Sequence, residues 1–247
     1  MYSILLKVYE IVNNNDPGSL SENYKTIPYS ELTNNGVVSE LVLFYGDEDG
    51  KNSFTSFMNL FKDKLQWEVT TNDSWVAIRS LQGQPIKIYA NLPLDEEDGI
   101  DIAAQEVLAK YLKAQSISPS ILIHRGHSYH LPNTLNYLDP SVKLAILGSC
   151  GGYKNMKKIM ELNSQVHIIA SKQVGSMAVN DPLLRHLNGN LAAGRNIDWV
   201  NFWSELSQKF KNDPLTSKLF EEYMPPYKNV TSYVIRLYNQ DDADTMQ

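Results

Sequence analysis

A single cysteine, Cys150, leaves the 247-residue chain without any internal disulfide. That scarcity fits a reducing compartment, and a cytoplasmic location is expected. Basic residues are also in the minority, 22 Lys+Arg against 28 Asp+Glu, for a net charge of -6. Phosphate binding needs a basic surface, so no nucleic-acid partner is expected. No apolar run approaches the roughly 18–20 residues of a membrane span, and no membrane partner is expected either. The opening stretch MYSILLKVYEIVNNN is interrupted by Lys7 and Glu10 and lacks a basic leader, so no signal peptide is read there. Internal repeats and low-complexity tracts are absent. The rest is ordinary for a globular protein, 43% hydrophobic and 20% charged. A chain of this length can bury a core without disulfide or metal staples.

Residues 1–36 mix a short apolar segment with loop chemistry, NNNDPGS and TNN, and read as an accessory segment or the end of a preceding domain. Residues 37–247 read as one domain. VVSELVLFYGD (37–47) is a strand stopped by a turn-like DEDG, and Phe54, Phe57, Met58 and Phe61 give a helical spacing over 53–65. LQWEVTT (65–71) is a strand, and a hairpin is expected around Gln82-Gly83. Ile102, Val107, Leu108, Tyr111 and Leu112 share one side of a helix behind the acidic stretch 95–98. ILIH (121–124), KLAILGS (143–149) and VHIIAS (166–171) are apolar without alternation, as in strands covered on both faces. Helices are expected around 153–162, 181–192 and 198–210, and a last short strand at SYVIRLY (232–238). Strands alternating with helices predict an α/β fold, a mostly parallel sheet sandwiched between helices.

Chemistry collects at the C-terminal ends of two of these strands, where α/β sheets usually hold ligands. One strand runs into Gly126-His127 and another into Ser149-Cys150-Gly151-Gly152. A cysteine nucleophile needs a nearby base, and histidine is its usual partner. A following helix (YKNMKKIMEL) would place its positive N-terminus beside the sulfur, and the paired glycines let a substrate carbonyl approach backbone amides. A buried, inert cysteine and a plain Gly-His turn would leave the same residues in the sequence; their joint position on neighbouring strands favours the dyad.

These blocks resemble the caspase-like (clan CD) cysteine peptidases. ILIHRGHS is similar to the strand-Gly-His block of gingipains and separases, and LAILGSCGG to the nucleophile block of CHAT domains and metacaspases. VHIIASKQVGSMAVNDPLLRHLNGNLAAG resembles the CHAT and separase segment behind the nucleophile. The resemblance implies a caspase-like three-layer sandwich and a cysteine endopeptidase, with a protein or peptide substrate, a regulatory protein partner and no cofactor. It implies His127 as the general base or orienting group, Cys150 as the nucleophile, and the backbone N–H groups of Ser128 and Cys150 as an oxyanion hole. Asp181 would receive a basic P1 side chain; read alone, Asn180-Asp181-Pro182 is equally a helix start. The family has Gly where this chain has Ser128, and that departure motivates a second reading, a catalytically inactive protein-binding module.

Three of the five histidines, His124, His127 and His130, are spaced three apart. In an extended run His124 and His127 point to opposite faces, and no second ligand cluster accompanies them, so no metal is expected. His130 would line the site mouth or be exposed. Asp47, Glu48 and Asp49 read as a solvated turn, and DEEDGID (95–101) has the charge of a calcium loop without its spacing.

Overall fold

The computed structural model describes residues 25–229, Ser232 and Val234. The expected strand at 232–238 thus lies, apart from those two residues, outside the described residues, as do residues 1–24 of the accessory segment.

Five strands form a parallel core: β3 (Val37–Phe44), β6 (Ile86–Asn91), β7 (Ile121–Arg125), β8 (Leu144–Leu147) and β9 (His167–Ser171). Their spatial order is β6-β3-β7-β8-β9, all neighbours parallel. An antiparallel hairpin, β4 (Trp67–Thr71) and β5 (Trp75–Ser80), extends the sheet beyond β6, and β11 (Tyr223–Met224) pairs antiparallel with β9. Two short strands precede the core. β2 (Thr33–Asn34) folds back on β3 through Asn35-Gly36, both at positive φ as a tight hairpin requires. β1 (Thr26–Ile27) pairs with β10 (Ile197–Asp198), and Ile27 and Leu32 are buried in the same core as the sheet.

Alternation along the strands sorts the core into two layers. Val42, Phe44, Ile121, Ile123, Ile146 and Ile169 face one side. That side is covered by α2 (Glu48–Met58), α6 (Met177–Ala192) and α7 (Trp199–Phe210), with α8 (Pro214–Glu221) against α7. Leu41, Leu43, Leu122, Ala145, Leu147 and Ile168 face the other. There they meet α3 (Ile100–Ala114), α4 (Leu131–Leu135) and α5 (Met156–Leu162), while α1 (Tyr29–Leu32) is a single turn near the start. Each such aliphatic side chain contributes about 1.5–3 kcal/mol on burial, which is why these runs carry no polar alternation. Among the described residues no helix is long and apolar enough to cross a membrane.

Two helix starts differ from the sequence expectation. DEDG is not a turn: Asp47 caps α2, its carboxylate accepting from Gly50 N at 2.6 Å, and the helix runs 48–58 before a 3-10 turn at Asn59–Phe61. Likewise α6 begins at Met177, capped by Ser176, so Pro182 lies inside the helix and not at its first turn. A proline tolerated there sacrifices one helical N–H, and the apolar face of Val179, Leu183, Leu184 and Leu187 holds the turn in place. As a consequence Asn180 and Asp181 face inward.

Candidate active site

The chain leaves β3 towards α2 on one face and leaves β7 towards α4 on the other. Loops diverging from neighbouring parallel strands open a crevice at their C-terminal ends. A cleft of about 220 Å³ lies there, lined by residues from the β7 exit (Arg125, Gly126, His127), the β8 exit (Gly148, Ser149, Cys150) and the start of α6. His127 and Cys150, expected as a pair, both line it. Cys150 is exposed and the His127 side chain is 41% exposed. Ser128 and Asp181 are not among the lining residues. Among the described residues no protein acceptor takes the N–H of Ser128 or of Cys150.

Alternation sends the last two residues of β7 to opposite faces. His124 is fully buried on the α4 side, its Nδ1 2.7 Å from Thr134 Oγ1. Its Nε2 lies 3.0 Å from Gly126 O and 3.1 Å from His127 O. Carbonyls only accept, so Nε2 bears the proton and Nδ1 accepts from the Thr134 hydroxyl. Burial pushes the His124 pKa down to about 4, against the backbone carbonyls that pull it up. His124 therefore acts as a neutral clasp on the loop that carries His127.

Arg125 points the other way and is buried under the cleft. Its Nη1 donates to Asp181 Oδ1 at 2.7 Å, and its Nε to Ser53 Oγ at 2.8 Å. Ser56 Oγ donates to the other Asp181 oxygen. Asp181 is thus held by the chain's own guanidinium, behind the cleft wall formed by Asn180.

The β8 exit is held by side chains that bond its carbonyls. Asn180 Nδ2 donates to Gly148 O at 3.1 Å, Tyr223 OH donates to Asn180 Oδ1 at 2.9 Å, and Ser171 Oγ donates to Ser149 O. A Cβ at Gly175 would lie 1.8 Å from Gly148 O, so only glycine lets the β9–α6 loop press against this exit. Gly151 has a φ of +66°, the left-handed turn that starts the 3-10 segment Gly152–Asn155. The expected helix over 153–162 thus opens as a 3-10 turn and becomes α-helical at Met156. Ser149 Oγ is buried beside the cysteine without a protein partner among the described residues.

Sequence reasoning missed four contributors. Asp49, read as part of a solvated turn, places Oδ2 3.0 Å from His127 Nε2. Its neighbour Asp47 places Oδ2 3.0 Å from His130 Nε2, with Glu96 Oε2 3.8 Å from the same nitrogen. Arg125, between two histidines, carries no sequence pattern of its own. The signal available was the position of DEDG directly behind β3, on the ligand-bearing edge of a parallel sheet. No protein-family profile, curated protein or solved structure matches the chain.

Proposed function

We propose that the protein is a cysteine endopeptidase of caspase-like architecture, acting through Cys150 and His127. The observation that carries the reading is that these two side chains leave neighbouring parallel strands and line one cleft. The three-layer arrangement around a mostly parallel sheet supports it, as do the Gly-His and Ser-Cys-Gly blocks at the strand ends.

In this reading Cys150 Sγ attacks the scissile carbonyl carbon, and the amides of Ser128 and Cys150 receive the developing oxyanion. His127 passes a proton to the leaving amine, whose departure breaks the C–N bond and leaves a thioester. Water, deprotonated by His127, then attacks the thioester carbon and releases the acid and the free cysteine. With Asp49 on Nε2, Nδ1 is the nitrogen left to handle these protons, and the carboxylate orients the ring. Asp181 is not offered as the receptor of a basic P1 side chain, because Arg125 already neutralises it.

A peptide-library cleavage assay comparing the full chain with Cys150→Ala and His127→Ala tests the reading. Cleavage lost in both variants is expected. Equal background from all three favours the second reading, a non-catalytic protein-binding module, for which Ser128 in the place of the family's glycine is the specific mark.

A further inference from the structure

Beside the cleft, the loops that follow β3, β6 and β7 converge on one imidazole. His130 Nε2 lies 3.0 Å from Asp47 Oδ2 and 3.8 Å from Glu96 Oε2, and the three ligand atoms all fall within 4.8 Å of one another. The geometry points to a binding site for a divalent first-row transition-metal ion held by Asp47, Glu96 and His130. An ion with bonds of about 2.1 Å sets adjacent ligand atoms roughly 3.0–3.4 Å apart, which small side-chain movements reach from here.

The ligands are built in, not scattered over a surface. The side chains of Asp47 and His130 are 10% and 11% exposed, with Glu96 at the mouth. Asp47 is fixed by its own capping bond: one oxygen accepts from Gly50 N, which turns the other towards His130. The His130 ring stacks on Tyr45 at 4.0 Å and an interplanar angle of 7°, and Tyr45 OH, with its proton on Thr134 Oγ1 at 2.7 Å, lies 3.2 Å from His130 O. Ligands held by such outer contacts are oriented before the ion arrives. Among the described residues no lysine or arginine forms an ion pair with Asp47 or Glu96, so two carboxylates face a single imidazole. One nitrogen with two carboxylates suits manganese or zinc, whereas calcium takes six to eight oxygens.

Asp47 precedes Asp49 by two residues and His130 follows His127 by three, so a bound ion would tie the loop of His127 to the start of α2. The site does not depend on the peptidase reading. Its test is Mn²⁺ titration of the full chain carrying Cys150→Ala, which removes the exposed thiol as a competing ligand. Free Mn²⁺ is followed by its electron paramagnetic resonance signal, with thermal unfolding in parallel. Expected are one equivalent bound, a higher unfolding midpoint with metal, and displacement by Zn²⁺. Glu96→Gln and His130→Asn should each weaken binding 10- to 100-fold. His186→Asn, which alters a histidine–carboxylate pair elsewhere, should leave it unchanged. No saturable binding up to about 1 mM, or equal affinity in Glu96→Gln, overturns the assignment. Glu96 is at the mouth, so its variant keeps the test decisive even where His130→Asn fails to fold.

Discussion

Arg125 and Glu40 sit on the neighbouring strands β7 and β3, and the protein accommodates the two buried ionisable groups in opposite ways. At the cleft end of the sheet, Arg125 is 3% exposed and fully engaged by Asp181 and Ser53. In mid-sheet, Glu40 is 1% exposed, and neither carboxylate oxygen has a partner among the described residues. Burial pushes its pKa up to about 8, so it is accommodated by staying protonated. Around the cleft, where loops must be held in one geometry, charge is matched and polar groups are mostly paired. Away from it, a lone carboxyl is tolerated at the expense of stability.

Breaking the matched end gives the largest expected effect. Asp181→Ala leaves a buried guanidinium without a counter-charge and should cost about 3–5 kcal/mol, seen as a lower urea midpoint at unchanged slope. Replacing both partners together by apolar residues, Arg125→Met with Asp181→Leu, should recover most of that loss.

Glu40→Gln sharpens the other side of the comparison. The folded pKa of Glu40 is raised, so its contribution is fully present below about pH 4.5 and is lost as pH rises through about 8. The variant should remove that decline and be more stable at neutral pH by an amount on the order of 3 kcal/mol. Urea unfolding at several pH values reads both effects. An unchanged slope would contradict the burial account.

The cleft end has the reverse slope. His124 is held neutral, with its pKa lowered to about 4 from an ordinary 6.5. Its contribution is therefore present above about pH 6.5 and is lost as pH falls through 4, by an amount on the order of 3 kcal/mol. Thr134→Val should blunt the clasp, because it removes the donor to His124 Nδ1 and leaves buried groups unpaired, about 1–3 kcal/mol at neutral pH. The smallest effect on stability is expected for Asp49→Asn, below about 1 kcal/mol, since the pair with His127 is largely exposed. In the peptidase reading the same variant should slow turnover at least 10-fold, and Asp49→Glu should restore part of it.

Much of this was legible in the sequence. The apolar runs at 121–124, 143–149 and 166–171 announce buried parallel strands because nothing in them alternates, and the Gly-His and Ser-Cys-Gly blocks fall at their ends. Hidden were the contacts that cross the chain. Asp181 meets Arg125 across 56 residues, and no local pattern pairs them. Asn180-Asp181-Pro182 carries the chemistry of a helix start, yet Ser176 caps first and the apolar face overrides the proline. Asp49 read as a solvated turn because its exposure is real; what turns it towards His127 is the capping of α2 by Asp47. Glu40 broke no visible pattern, since a single acid within VVSELVLF gives no sign of which face it takes.

The central claim is that His127 acts on Cys150, and alkylation of Cys150 by iodoacetamide across pH tests it without a substrate or an activator. The account predicts that the rate near pH 6 falls at least 10-fold in His127→Ala, while the rates converge at high pH where the thiol ionises unaided. Superimposable profiles for the two proteins would contradict it.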